Sequence, residues 1–352
     1  RAFSVDLERF SADIRNRALE FLVGLEIALI ALLRKHDLGE VTLTSAKQRR
    51  MEKLLEQTQA TIATAYAGIR DEVKADLREV AALSAANAGG SINAAVGVDI
   101  ATTALAPERI KAIVDSNLIQ GQILRSWWSD QAATTLRLCV DQIQKGYASG
   151  EGVDAIVRRI RGSSKANYKD GVLEISKRNA ETLVRTAVQS VSNNARTETF
   201  ENNDDIIENL LWVSTLDGRT SQICKSRSGL QWTLVDKKPV GHSIPWNGGA
   251  PAHFRCRSVT VAVLKPLNDI PDRKAAKVKN AGMQSSMDGE VPSDLDYSEW
   301  LKTRKSVAFQ KEVLGEGKWE LWQSGKLELR DMLDMSGNPI SLEELRRRYG
   351  GR

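Results

Sequence analysis

The chain has 352 residues, 41% hydrophobic and 27% charged, with a formal net charge of +5. That length suggests about two domains and supports a core without covalent staples, and the composition is that of a globular protein. Three cysteines, Cys139, Cys224 and Cys256, are too few for a secreted disulfide framework and point to synthesis in a reducing compartment. The most apolar stretch, residues 18–33, is interrupted by Glu20 and Glu26, which argues against a membrane span of roughly 20 apolar residues. It also lacks the cleavage pattern of a secretory signal.

Residues 3–35 read as a helix, because Ile14, Ala18, Phe21, Leu22, Leu25, Leu29 and Leu32 recur at helical spacing and Gly39 supplies a stop. A second helix starts at Thr44 or Ser45, either of them a fair N-cap. It continues through Leu54, Thr58, Ile62, Tyr66, Ile69, Val73 and Leu77 to Leu83. Residues 85–106 are rich in Ala, Gly, Ser and Asn and read as a flexible connection. Helix resumes at Pro107, a first-turn proline, with Ile110, Ile113, Leu118, Ile119, Ile123, Leu124 and Trp127 following. Further helices cover residues 129–147, 153–160 and 180–200, separated by a glycine-rich stop and a polar loop.

The character changes near residue 209. Residues 210–216 are strand-like, Asp217-Gly218 is a turn dipeptide, and residues 230–235 and 257–264 are further β-segments. A proline- and glycine-rich loop, 241–251, lies between the last two. Residues 266–296 read as a linker, and the tail reads as short helices carrying Trp300, Trp319 and Trp322. The organisation expected is therefore α+β and mostly α. Long N-terminal helices (1–84) lead through the connection (85–106) to a helical domain (107–208). A small β-containing Cys/His module (209–265), the linker (266–296) and a helical tail (297–352) follow.

Charge is concentrated in the module. Between Arg219 and Lys265 there are eight basic residues against the single Asp236. Lys225, Arg227, Lys237, Lys238 and Arg255 are the candidate contacts to phosphates or to an acidic partner, and a solvated rim is the competing reading. Trp212, Trp232 and Trp246 are expected in the module core or at its lip, with base stacking as the rarer alternative.

Cys224, His253 and Cys256 are the residues that could carry chemistry. His-x-x-Cys puts two metal-ligating side chains on one turn, and Cys224 would staple the far end of the module to them. Such nitrogen and sulfur sets hold structural zinc, with Asp217, or His242 instead, as fourth ligand. Other readings stay open: a Cys224–Cys256 disulfide, two ordinary buried cysteines, or a histidine bonded within its loop. A Cys224–His253 nucleophile and base is a further alternative, but no nucleophile elbow surrounds Cys224, and no P-loop, G-x-G-x-x-G or H-E-x-x-H occurs.

The run W-V-S-T-L-D-G-R-T-S-Q-I-C over residues 212–224 resembles a signature of the phage Mu F-like head morphogenesis proteins, also called minor head or minor capsid proteins. The pattern, W-x(4)-D-x-R-T-x(3)-C, rests on Trp212, Asp217, Arg219, Thr220 and Cys224. It continues with Gly229 and with P-A-H-F-R-C-R-S over residues 251–258, where Arg257 matches and Ser258 stands in place of the usual last cysteine. Upstream, Arg185-Thr186-Ala187 and Asn193 to Arg196 resemble the family's R-T-E helix, with Ala187 where Glu is common. The tail, with Trp300, Phe309, Gly315 and the Ser324-Gly325-Lys326-Leu327 run, resembles an extension found after this domain. The resemblance covers about residues 170–350.

It implies a low-copy internal head component near the portal vertex, inside the virion and assembled in the bacterial host cytoplasm. Such a protein acts in procapsid maturation and genome ejection by binding rather than catalysis. Portal, capsid or scaffold proteins are the implied partners, with packaged DNA as a further one. Self-association would run through the N-terminal helices, and no membrane is involved in assembly. One structural zinc is the implied cofactor. A DNA-binding packaging module and a Cys/His hydrolase or toxin-like effector are the alternatives.

Overall fold

The computed structural model describes residues 2–36, 45–97, 99, 101–102, 104–266, 269–270 and 282–350. The expected stop at Gly39, the Thr44 cap and part of the 266–296 linker lie outside these. The fold is α+β and mostly α, and it divides into two compact units. One comprises Asp6–Glu79 and Val114–Val188; the other comprises Arg1–Val5, Val80–Ile113 and Gln189–Arg352. Among the described residues no helix is long and apolar enough to cross a membrane.

The first unit is helical. Helix α1 (Ala2–Lys35) buries Ile14, Ala18, Leu22, Leu25, Leu29 and Leu33, the face its spacing defined. Helix α2 (Ser45–Val96) belongs to this unit as far as Glu79 and buries Leu54, Thr58, Ile62, Tyr66, Ile69, Val73 and Leu77. Gly68 in α2 allows the Phe21 ring to approach, because a Cβ there would sit 2.4 Å from a ring carbon. Helices α4 (Leu124–Ala148) and α5 (Val153–Arg161) follow in this unit, whereas α3 (Pro107–Ser116) belongs to it only from Val114 and α6 (Val172–Glu201) only as far as Val188. Tyr66, Thr135 and Ser176 join their hydroxyls in a buried chain at 2.8 Å each, which satisfies three polar groups among apolar helices.

Two sequence expectations fail here for physical reasons. Residues 85–96 are not a flexible connection but the last turns of α2. Ala85, Ala88, Ile92 and Val96 continue the buried spacing, and the small residues serve close packing: Ser84 Oγ lies 2.8 Å from Ser192 Oγ. The helix expected through residues 118–123 is instead a tight hairpin, β1 (Leu118–Ile119) and β2 (Gln122–Ile123). Gln120 and Gly121 both adopt positive φ at its tip.

The second unit holds an antiparallel sheet of order β5-β4-β3-β6: β3 (Ile207–Val213), β4 (Gln231–Thr233), β5 (Pro239–Val240) and β6 (Val259–Leu264). The central strand β3 pairs Leu210 with Trp232 on one side and Trp212 with Thr260 on the other. Helix α6 docks on β6 through polar side chains. Asn193 Oδ1 accepts the Thr260 N–H (3.1 Å), and Gln189 donates to the Ser258 carbonyl (2.8 Å).

A short helix, α7 (Gln222–Arg227), follows β3 where the sequence suggested only a turn. Inside the stretch read as a linker, β7 (Met283–Ser286) and β8 (Gly289–Pro292) form a hairpin. The tail is helical as expected: α8 (Tyr297–Arg304), α9 (Val307–Leu314), α10 (Glu316–Gln323) and α11 (Leu342–Tyr349). Asp296, Ser306 and Ser341 cap α8, α9 and α11. Their core, Tyr297, Trp300, Leu301, Met332 and Leu345, is closed by Leu216 from the module.

Candidate metal centre

The motif residues of the module converge because each is held by a different short element. Trp212 is wholly buried on β3, and its indole N–H donates to Ser214 Oγ (2.9 Å), which donates to the Cys224 carbonyl (2.6 Å). That chain fixes the cysteine-bearing helix α7 against the strand. Ser221 caps α7, its hydroxyl accepting the Cys224 N–H at 3.3 Å. Cys224 is therefore placed at the first turn, facing the loop that brings His253 and Cys256.

The three donors meet. Cys224 Sγ lies 3.5 Å from Cys256 Sγ and 3.3 Å from His253 Nε2, and all three donor atoms fall within 4.8 Å of one another. The sulfurs are too far apart for a disulfide, whose S–S bond is about 2.05 Å. A tetrahedral zinc with Zn–S near 2.3 Å and Zn–N near 2.0 Å needs donor separations of about 3.5–3.8 Å, close to those found. The cysteines are 2% and 4% exposed and the histidine is half-buried. His253 Nδ1 lies 2.8 Å from the Phe254 carbonyl, so it carries the proton, and the Nε2 lone pair is turned toward the sulfurs.

Electrostatics reinforce the geometry. The Cys256 thiol is held well below the ordinary thiol range by the hydrogen bond from Cys224, against the effect of burial, with His253 and the Ser258 N–H contributing further. Cys224 moves upward beside it, through that same bond and through burial. His253 is raised by its bond to Cys256, against burial. A buried pair of sulfurs beside an imidazole nitrogen is a donor set suited to a borderline or soft cation. The residues present thus fit one metal ion.

Neither expected fourth ligand is in the group. Both carboxylate oxygens of Asp217 are taken by Arg257, at 2.6 and 2.8 Å, and Oδ1 also accepts from the Arg219 N–H and the Thr220 hydroxyl. Burial pushes that carboxyl up, but Arg257 outweighs it and the group sits at about 2. His242 spends both ring nitrogens within its own loop: Nδ1 accepts the Ile244 N–H (3.1 Å), so Nε2 is protonated and donates to the Gln231 carbonyl (2.8 Å). The signature Asp–Arg pair is thus a clasp. It ties the turn after β3 to the segment before β6, and Tyr297 from α8 adds a hydroxyl bond to the Asp217 carbonyl (2.8 Å).

The basic cluster also differs from its expectation as a contact surface. Arg227 is 2% exposed, stacked between the Trp212 and Trp232 rings at 5.4 and 5.6 Å, and its guanidinium is lowered by burial. Lys225 is 6% exposed, donates to the Val313 carbonyl at 2.9 Å, and is pushed down to about 8 by burial. Lys237 is turned inward to Glu201 and the Leu234 carbonyl. Lys238 pairs with Asp236 at 3.0 Å, whereas Arg219 is 86% exposed, with only a long contact to Asp217, and Arg255 lies on the surface. Three of the five candidate contacts, Lys225, Arg227 and Lys237, are thus consumed by internal partners. The tryptophans take their core reading: Trp246 meets Trp232 edge-on at 5.4 Å.

Sequence reasoning missed Ser214, Ser221 and Tyr297. Only Ser221 left a signal, a serine three residues before Cys224 at cap spacing.

No curated protein and no solved structure matches the chain. Residues 139–261 match the family model described as phage Mu protein F like protein, a stretch running from α4 through the Asp217–Arg257 clasp and the Cys/His group into β6. Over that stretch the chain is thus similar to the phage Mu F-like proteins, in agreement with the resemblance carried by its motifs.

Proposed function

We propose that the chain is a minor head protein of a phage. It is a low-copy internal component at the portal vertex, acting in head morphogenesis and genome ejection by binding rather than by catalysis. The observation that carries this reading is the coincidence of the family match with a single structural knot. Most signature residues from Trp212 to Arg257, the exposed Arg219 apart, are spent on holding the module together: Trp212 on Ser214, Asp217 on Arg257, Thr220 on the Thr215 carbonyl. Such residues build a rigid docking body, and buried Cys and His donors in it suit one structural zinc on Cys224, His253 and Cys256.

Portal, capsid or scaffold proteins are the partners, and the N-terminal helices, with Val23 and Ile27 exposed on α1, carry self-association. The virion is the site of action. Co-purification of the chain with proheads or portal, without turnover of any substrate, is the expected result. Particles assembled without the chain that keep normal yield and infectivity would end the proposal.

A further inference from the structure

A metal held by Cys224, His253 and Cys256 has one corner of its tetrahedron left, and Asp217 and His242 are both engaged elsewhere. Two hydroxyls reach the group instead. Ser221 Oγ lies 2.8 Å from His253 Nε2, meets the Cys224 sulfur, and is fixed in place by the Cys224 N–H it accepts. Ser258 also meets the Cys224 sulfur, but its hydroxyl is directed to Ser214 at 3.4 Å and its N–H is given to Cys256. Ser221 thus lies against the nitrogen and one sulfur of the donor set, on the side of the cluster formed by α7. Ser258 stands behind the sulfurs, where thiolates accept outer hydrogen bonds.

On the zinc reading above, we propose that the Ser221 hydroxyl is the fourth protein donor to the metal, while Ser258 supports the thiolates without ligating. The site is then two sulfurs, one nitrogen and one neutral oxygen. Ser221 has a second duty as the cap of α7, and one lone pair of its oxygen serves the Cys224 N–H while the other faces the metal. A chain with Ser where the family has its last cysteine, at position 258, keeps four donors by recruiting a serine from the other side of the cluster.

The test uses the full chain loaded with zinc, read by metal stoichiometry, by competition with a chromophoric chelator, and by the absorption spectrum after cobalt substitution. Ser221→Ala should bind zinc about 10- to 100-fold more weakly, the loss typical of disturbing a ligand's immediate surroundings or more. It should shift the cobalt ligand-field bands while keeping the two-thiolate charge-transfer band. Ser221→Asn keeps a good helix cap and should lose affinity like alanine, which separates ligation from capping. Ser221→Thr should restore binding, and Ser258→Ala should stay close to the parent. Unchanged tryptophan fluorescence certifies the fold of each variant. Parent-like affinity and spectrum in both Ser221→Ala and Ser221→Asn, or a loss confined to Ser258→Ala, would overturn the assignment of Ser221. A parent chain that binds no zinc overturns the metal reading itself, before any serine variant is compared.

Discussion

The helical unit and the Cys/His module are stabilised in opposite ways. In the first, α2 alone buries seven side chains from Leu54 to Leu77 in one stripe, so stability is spread over many interchangeable contacts. In the second, the strands are two to seven residues long, and order comes from a few singular contacts: the Asp217–Arg257 clasp, Arg227 between two indoles, and the sulfur–imidazole group. A stripe degrades gradually when altered, whereas a clasp is lost as a whole.

The largest effect should come from removing metal. If zinc closes the module, a strong chelator withdraws binding energy that in small zinc domains reaches about 10 kcal/mol. The near-ultraviolet signal of Trp212 and Trp232 should collapse while far-ultraviolet helicity largely survives, since most helix lies outside the module. Simultaneous loss of both signals would show that the two regions are not separable. Next is Ile69→Ala in α2, fully buried, which should cost about 2–5 kcal/mol with the tryptophan signal of the module unaffected.

Arg257→Ala comes third, at about 3 kcal/mol, because it leaves the buried Asp217 carboxylate without its partner. The same pair sets a pH window. The folded-state carboxyl of Asp217 lies at about 2, below the ordinary value of about 3.9, so its contribution is fully present above pH ~4 and fades as pH falls toward 2. Urea titrations between pH 5 and 2.5 should show that slope in the parent chain and a shallower one in Asp217→Asn. An unchanged slope would place the acid sensitivity elsewhere.

How much of this was legible follows from the same contrast. The helices announce themselves because a stripe repeats, and the α2 pattern even ran on through Ala85, Ala88, Ile92 and Val96, where composition alone suggested a connection. Composition misled because small residues serve both flexible chains and close helix packing, and only their spacing distinguishes the two. In the module, the motif located Cys224, His253 and Cys256 but not their neighbours. Asp217 looked like a ligand because a carboxylate beside cysteines has two uses, and the choice depends on where Arg257, forty positions later, arrives. Lys225 and Arg227 looked like a surface because charge is usually solvated. Their burial needs a carbonyl from Val313 and two aromatic faces that no local pattern encodes.

The smallest effect should be Lys74→Ala in the helical unit, which removes an ion pair to Asp115 at 2.6 Å. Both side chains are about a third exposed, so solvent screens the attraction and two flexible chains must be ordered to make it. A loss under about 1 kcal/mol, shrinking further in 0.5 M salt, is expected from thermal unfolding. The short distance would suggest more if distance alone set the energy. Asp217–Arg257 has the same 2.6 Å contact but sits beside a bidentate second bond, with its carboxylate mostly withdrawn from water. Measuring both under one protocol isolates desolvation from proximity. A Lys74→Ala loss equal to that of Arg257→Ala would mean the helical unit, too, depends on single contacts, and the distinction between stripe and clasp would fail.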